Sequence, residues 1–411
     1  MRSGIAGCGL RYAVLRRGAA AACCALSIKC GTRDEEGFNE GTAHFTEHAV
    51  FKGTRGKSAS VISGRLDRLG GELNAYTTKE DIVFHATVLK EDLGKASSLL
   101  MELASEATFP EEEIETERGV VTDEIISYKD SPADEIYDRF EELLFARHPL
   151  GRSILGTEKS VSGISAGDLR RFVAERFVPS RMAFTVVADI DEARMEQAVL
   201  RLAEKYFGGD PDAFIAKETT VYAAPEAVRF EKTEDRGDHE ANAVIGGTAP
   251  SLREDRERIA ASLLCNVIGG PASNSLLNDI LRERNGWVYS VECSYTQYAD
   301  TGVAAISFGC DRPNLGRCMG NVSKVLRRLI ENPLSDRKLA AAQKQFLGQI
   351  AISSDNNETQ CLSMGKSLLS FGKIVSNEEN RALIMSLTAE ELRTGAERIF
   401  APEKLSKLIY V

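Results

Sequence analysis

At 411 residues the chain exceeds the roughly 250 to 300 over which one hydrophobic core keeps growing, so at least two domains are expected. With 43% hydrophobic and 27% charged residues and no polar low-complexity tract, its composition is that of a globular protein and excludes the disordered class. A net charge of -10 argues against any sequence-independent hold on nucleic acid or anionic lipid, and no apolar run approaches the ~18 residues of a membrane span.

The opening residues read as two short strands, "LRYAVLRR" and "ALSIK", joined by a Gly-Ala turn. They are not read as a signal peptide, because the apolar stretch lacks a Leu-rich centre. The chain is therefore expected to start close to its mature terminus and to work in the cytoplasm. Nine cysteines, scattered from Cys8 to Cys361 without regular spacing, make no disulfide framework in a chain this long. Cys23, Cys24 and Cys30 have no His at zinc-site spacing and read as small apolar fillers.

Next comes a helix over 41–51, "GTAHFTEHAVF", followed by a second in "SASVISGRLDRLGG", with Ile62, Leu66 and Leu69 on one face and Gly70-Gly71 ending it. "ELNAYTT" is short and polar, as suits a sheet edge, whereas "DIVFHATVL" is apolar on both faces. Helices are expected over 91–107, 110–129 and 133–146, and another opens at Ser165-x-x-Asp168. A buried strand (181–191) and a helix (192–206) close the first half.

Periodicity is lost between Gly208 and Ala227, which reads as a linker between a domain at 1–207 and another at 228–411. Beyond it the order repeats: a strand (241–247), helices (252–268 and 274–284), paired strands (287–297 and 301–310) and helices (312–331 and 334–352). Laid on the first half, the second sets Ala261, Leu264 and Cys265 opposite His44, Glu47 and His48, and Gln349 opposite Glu124. The expected fold class is α+β, a duplication in which each half is a mainly antiparallel sheet packed with helices and only one half keeps the polar motif.

That motif is His44-x-x-Glu47-His48. On a helix, residues i and i+4 share a face, so two imidazoles can aim at one point with Glu47 beside them. A hydrolytic zinc needs three protein ligands and an open position, and a carboxylate next to that position can take a proton from water. By itself so short a pattern is equally a polar helix stripe. The acidic run "PEEEIETERG" reads as a solvated face for Glu111, Glu112 and Glu113. Glu117 and Glu124, seven residues apart on one helix face, both stand as third ligand, and spacing does not choose between them.

"GTAHFTEHAVFKGT", "LGGELNAYTTKEDIVFHATVLKEDL" and "ERGVVTDEI" together resemble the inverzincin zinc metallopeptidases of the pitrilysin family, whose His-x-x-Glu-His motif is followed by a distant Glu ligand. The resemblance implies one zinc per chain held by His44, His48 and Glu124, with Glu47 as general base and Glu117 supporting a ligand. "LRERNGWVYSV" resembles the family's second signature, which implies that Arg282 and Tyr289 bind substrate and steady the tetrahedral intermediate. The edge strand at Asn74, Ala75 and Tyr76 resembles the strand to which an extended peptide adds. Family chains of this length form half of a clam-like chamber, which implies a homodimer, or a heterodimer with a zinc-less paralogue, acting on peptides and on neither nucleic acid nor membrane. The alternative implied by the family is a non-catalytic structural subunit, from which zinc or base residues are typically lost. His85, His148 and His239 match nothing in the motif and read as structural.

Overall fold

In the computed structural model, residues 1–208, 225–237 and 239–411 are described, and most of the expected linker at 208–227 lies outside them. The first half runs β1 (Arg2–Ile5), β2 (Arg11–Arg16), β3 (Ala21–Ile28), α1 (Thr42–Ala49), β4 (Gly53–Thr54), β5 (Lys57–Ser58), α2 (Ala59–Asp67), β6 (Glu72–Thr77), β7 (Ile82–Leu89), α3 (Leu93–Glu106), α4 (Glu111–Lys129), α5 (Pro132–Leu144), α6 (Glu158–Ser162), α7 (Ala166–Arg176), β8 (Met182–Ala188) and α8 (Glu192–Phe207). The second runs β9 (Glu231–Glu234), β10 (Glu240–Ala249), α9 (Asp255–Gly269), β11 (Val288–Gln297), β12 (Gly302–Asp311), α10 (Leu315–Glu331), α11 (Asp336–Ser353), α12 (Asn357–Phe371), α13 (Asn377–Ser386), α14 (Ala389–Phe400) and β13 (Ser406–Tyr410). Where helical spacing predicts an α-helix over 274–284, the backbone makes a π-helical turn at Asn278–Glu283.

The described residues form two compact units, each assembled from three segments: those within 1–127, 152–220 and 352–375 for the first, and those within 128–151, 221–351 and 376–411 for the second. The first contains a six-stranded sheet in the order β1-β2-β8-β3-β7-β6, antiparallel except for the β2–β8 pair. The second contains a five-stranded sheet in the order β11-β12-β10-β13-β9, antiparallel except for β13–β9. Read inward from β6 and from β11, the two sheets repeat the same pairings and directions, and among the described residues β1 is the one extra strand. Two α+β domains with mixed sheets are thus present, as the repeated order predicts.

In the first sheet, period-two alternation buries both faces. Leu26, Ile28, Phe84 and Val88 face the main core under α1, α3 and α8, while Cys23, Ala25, Ala183 and Val187 face Cys361, Met364 and Leu368 of α12. The second face carries small residues because α12 lies very close to it: a Cβ at Gly365 would sit 2.5 Å from Ser27 Oγ. All nine cysteines are free and eight are buried, consistent with their use as apolar fillers. In the second unit α5 fills the equivalent place, with Ile136, Phe140 and Leu144 against Val244, Leu408 and Tyr410.

Candidate metal centre

Helix α1 begins abruptly. Gly41 at φ 88° turns the chain into it, and a side chain there would strike the Leu155 carbonyl at 2.6 Å. The free N–H groups of the first turn are met by the carboxylate of Glu35, which is 0% exposed and accepts from Gly41 N (3.2 Å) and Ala43 N (2.8 Å). Burial pushes the Glu35 carboxyl up to about 8, against the pull of those two bonds. Phe45, Ala49 and Val50 enter the core at 0% exposure, which fixes the helix rotation and leaves His44, Glu47 and His48 on the opposite face. Full burial of Phe45 alone contributes roughly 1.5 to 3 kcal/mol to holding that rotation.

Helix α4 is seated by Ile114, Val121 and Ile125, spaced seven and four residues apart on one buried face that also carries Glu117. Arg118 secures it by donating to the Ile164 carbonyl at 2.8 Å, with its guanidinium 5.5 Å above the Phe45 ring of α1. The two helices then bring three donors together. Glu124 Oε2 lies 3.6 Å from His44 Nε2 and 3.4 Å from His48 Nε2, and the three donor atoms all fall within 4.8 Å of one another. A tetrahedral site with bonds of ~2.0 to 2.1 Å has ligand-to-ligand edges of about 3.3 to 3.4 Å, so the set fits a metal of that size with little movement. The Glu124 side chain is 43% exposed, which leaves the cluster open on one side.

Around these three, Glu117 and Glu47 are each held by a neighbouring side chain. His48 Nδ1 lies 2.9 Å from Glu117 Oε1, and the other Glu117 oxygen pairs with Lys52 Nζ at 2.5 Å. Glu47 Oε2 accepts from Thr77 Oγ1 of β6 at 2.7 Å. Burial favours a neutral His48, but the Glu117 bond, with the charges of Glu47 and Glu124, outweighs it and raises the imidazole's affinity for a proton. Burial would also raise Glu117, yet its bonds to His48 and Lys52 hold it below the usual carboxylate range. His44 is pushed down to about 3, first by burial and then by His48, so it presents a neutral ring to a cation. Glu47 is raised, chiefly by burial. His44 Nδ1 is buried with no hydrogen-bond partner among the described residues.

The remaining predicted site residues fall in two places. Asn74, Ala75 and Tyr76 lie in β6, the outermost strand, which pairs with β7 on one side and with no strand on the other among the described residues. Leu73 and Ala75 pack on the core side, whereas Asn74 and Tyr76 are exposed. Arg282 and Tyr289 belong to the second unit; both are exposed, and the Tyr289 hydroxyl is 3.4 Å from Asp311 Oδ1. Within the first unit the structure therefore gathers His44, Glu47, His48, Glu117 and Glu124, flanked by β6. His85, on β7, is 3.6 Å from Glu358, and His148 Nδ1 accepts from Leu150 N at 3.2 Å.

Three residues of this centre were not singled out from sequence: Lys52, Thr77 and Glu35. For Lys52 a signal existed, since it follows His48 by four residues on a continuing helical turn. In the second unit Ala261, Leu264 and Cys265 of α9 are buried apolar core, and Asn266 Nδ2 donates to Gln349 Oε1 at 2.7 Å. Among the described residues no other group of three His, Cys, Asp or Glu gathers as a metal site would. No described helix is long and apolar enough to cross a membrane.

Comparison with known proteins bears on the same residues. Residues 12–158 match the family described as "Insulinase (Peptidase family M16)", and residues 163–346 match the "Peptidase M16 inactive domain". An "Uncharacterized zinc protease" of Streptomyces coelicolor is 30% identical over 376 residues, spanning 90% of this chain and 80% of its own. One from Bacillus subtilis is 29% identical over 384 residues, spanning 93% and 91%. Among solved structures, a peptidase M16 inactive domain from Pseudomonas fluorescens superposes with a TM-score of 0.88 at 16% identity, covering 100% of this chain and 97% of that one. A protease from Helicobacter pylori gives 0.87 at 18% identity, covering 100% and 98%.

Proposed function

This chain belongs to peptidase family M16, the insulinase family, and from that premise we propose that it is a zinc-dependent endopeptidase whose metal is held by His44, His48 and Glu124. The observation that carries the reading is the convergence of those three donors beside a separately anchored Glu47. When bound, zinc supplies Lewis acidity, which lowers the pKa of water to about 7 and polarises a carbonyl oxygen.

The chain's own groups do the rest. Glu47 takes a proton from the attacking water and delivers it to the leaving nitrogen, and its raised proton affinity suits both transfers. Thr77 fixes one Glu47 oxygen and so leaves the other for the proton. Glu117 accepts from His48 Nδ1, which sets the tautomer that presents Nε2 to the metal, and Lys52 keeps Glu117 charged. The open edge of β6 at Asn74, Ala75 and Tyr76 receives the substrate as an added strand through main-chain hydrogen bonds, a mode that selects extended or unfolded peptide.

Arg282 and Tyr289 bind the substrate and steady the tetrahedral intermediate. In a homodimer they complete the site of the partner chain. The buried free thiols support a reducing compartment such as the cytoplasm. Peptide hydrolysis by wild-type protein, Glu47→Gln and Tyr289→Phe, with metal content measured on each, tests the reading. Glu47→Gln is expected to hold about one zinc per chain while losing hydrolysis, and an active Glu47→Gln protein overturns it. Mixing the two variants tests the shared site: recovered activity is the expected result, and none in a freely exchanging dimer rules it out.

A further inference from the structure

Between α1 and α2 the first unit carries the β4–β5 hairpin, and that hairpin is bolted down. Thr54 bridges Ala107, its hydroxyl donates to Glu102 Oε1 at 2.6 Å, and Lys57 pairs with the same carboxylate, which is 4% exposed. The hairpin is thereby tied to α3 and to the segment that follows it. In the second unit the path from α9 to the π-helical turn forms no hairpin among the described residues. There α9, α10 and α11, with residues 274–280, line an open cavity of about 650 Å³.

Its lining has two characters. Leu276, Ile280, Leu329 and Leu334 supply an apolar wall, while Arg328 and Lys338 supply cations. Both cations are exposed, and neither makes an ion pair among the described residues, in a chain where acidic residues outnumber basic ones by 61 to 51. The wall amides already have partners, Asn274 Nδ2 donating to Gln345 Oε1 at 2.9 Å, Asn266 Nδ2 to Gln349 Oε1 and Asn332 Nδ2 to the Arg328 carbonyl. The residues lining the cavity thus combine two cations and an apolar wall with no acidic side chain. Its volume lies within the roughly 300 to 1,000 Å³ of small-ligand sites.

We propose that the cavity between α9, α10 and α11 binds a carboxylate carried on an apolar chain, the chain lying on Leu276, Ile280, Leu329 and Leu334 and the carboxylate taken by Arg328 and Lys338. Arg328 offers a planar fork that matches a carboxylate with two parallel hydrogen bonds, and Lys338 adds a mobile point charge. Two sources carry this chemistry: a medium-chain fatty acid, and the C-terminus of a peptide ending in apolar residues, the class of product that peptide hydrolysis releases. The cavity lies wholly within the second unit, so the proposal stands or falls independently of the metal centre.

Calorimetric titration of the full chain in a Glu47→Gln background, where peptides are not consumed, tests it. The probes are decanoate, decanol and decyltrimethylammonium, with N-acetyl-Leu-Leu and its C-terminal amide as the peptide pair. Decanoate or N-acetyl-Leu-Leu is expected to bind saturably at one site per chain, at least about 10-fold tighter than the uncharged counterpart of the same body. The double variant Arg328→Gln/Lys338→Gln is expected to erase that preference at an unchanged melting temperature, because both side chains are exposed. Ala342→Trp, which places a large ring at the cavity lining, is expected to weaken binding of every probe. Whichever acid binds tighter names the source. Equal binding of acid and neutral counterpart, a preference that survives the double variant, or no saturable binding up to about 1 mM overturns the proposal.

Discussion

The two units share strand order, strand direction and a helix pair laid across the sheet, yet they fill the space between those helices in opposite ways. In the second unit α9 offers Ala261, Leu264 and Cys265, at 0%, 1% and 3% exposure, and it is linked to α11 by the neutral Asn266–Gln349 bond. In the first, His44, Glu47 and Glu117 are buried to a similar depth, at 6%, 8% and 5%. Burying ionisable groups is unfavourable unless each is paired. Here each buried carboxylate has a partner, Thr77 for Glu47 and both His48 and Lys52 for Glu117, and His44, His48 and Glu124 form the set that would hold the metal. The α9–α11 pair thus shows what this helix pair looks like when it carries no metal chemistry. The chemistry is a local substitution on a tolerant frame.

If that is right, changes in the first unit cut function steeply and matching changes in the second do not. The largest effect is expected from Glu47→Gln, which removes proton transfer and lowers kcat by about 10²- to 10⁴-fold while metal content, read by elemental analysis, stays near that of wild type. Glu117→Gln and Lys52→Met come next. Each loosens the orientation of His48 without removing a ligand, and competition with a fluorescent chelator should show metal affinity lower by about 10- to 100-fold. Lys52→Arg, which keeps the charge opposite Glu117, is expected to recover part of that loss. Unchanged affinity in Lys52→Met would mean that the Lys52–Glu117–His48 chain is ornamental.

The helix starts differ as well, and this difference is read by pH. The first turn of α9 carries the exposed acids Asp255 and Glu257, whereas the N–H groups opening α1 meet the buried Glu35. Glu35 is held up to about 8 from an ordinary 4.5. Between those values the native state keeps a proton that the unfolded chain releases, so the contribution is fully present below the lower value and is lost as pH rises toward the upper one. Glu35→Gln keeps an acceptor for the helix but has no proton to lose. Urea unfolding at about pH 5 and about pH 8 should therefore show a smaller decline for the variant than for wild type, and equal declines would place the charge of Glu35 elsewhere.

Much of this centre was legible in the sequence, and the parts that were not share a cause. His44 and His48 follow from i and i+4 on a helix, and β6 from its short polar composition. Glu117 and Glu124 share a helix face, so spacing alone did not separate them; in the structure Glu117 lies 5% exposed against Lys52, and Glu124 stands at the open side. Thr77 and Glu35 were hidden because their contacts with α1 are tertiary, one across the sheet edge and the other through backbone N–H groups that carry no residue label. The placement of α5 and α12 was hidden for the same reason, since an apolar helix face does not name the sheet it will cover. The π-helical turn escaped because its apolar spacing also suits an α-helix.

The smallest expected effect is the sharpest check on the comparison. Gln349 stands where the duplication register puts Glu124, and its hydrogen bond to Asn266 joins α9 to α11 as the metal cluster joins α1 to α4. If the second unit's link is purely structural, Gln349→Ala should lower unfolding stability by about 1 kcal/mol, toward the low end because both side chains are only half-buried and water can replace the lost partner. Asn266→Ala should do the same, and the double variant should cost less than the sum, since the two remove one shared bond. Hydrolysis and metal content are expected to match wild type in all three. A fall in metal content in Gln349→Ala would mean that the second unit's helix pair takes part in the chemistry, and the division of labour between the units would have to be redrawn.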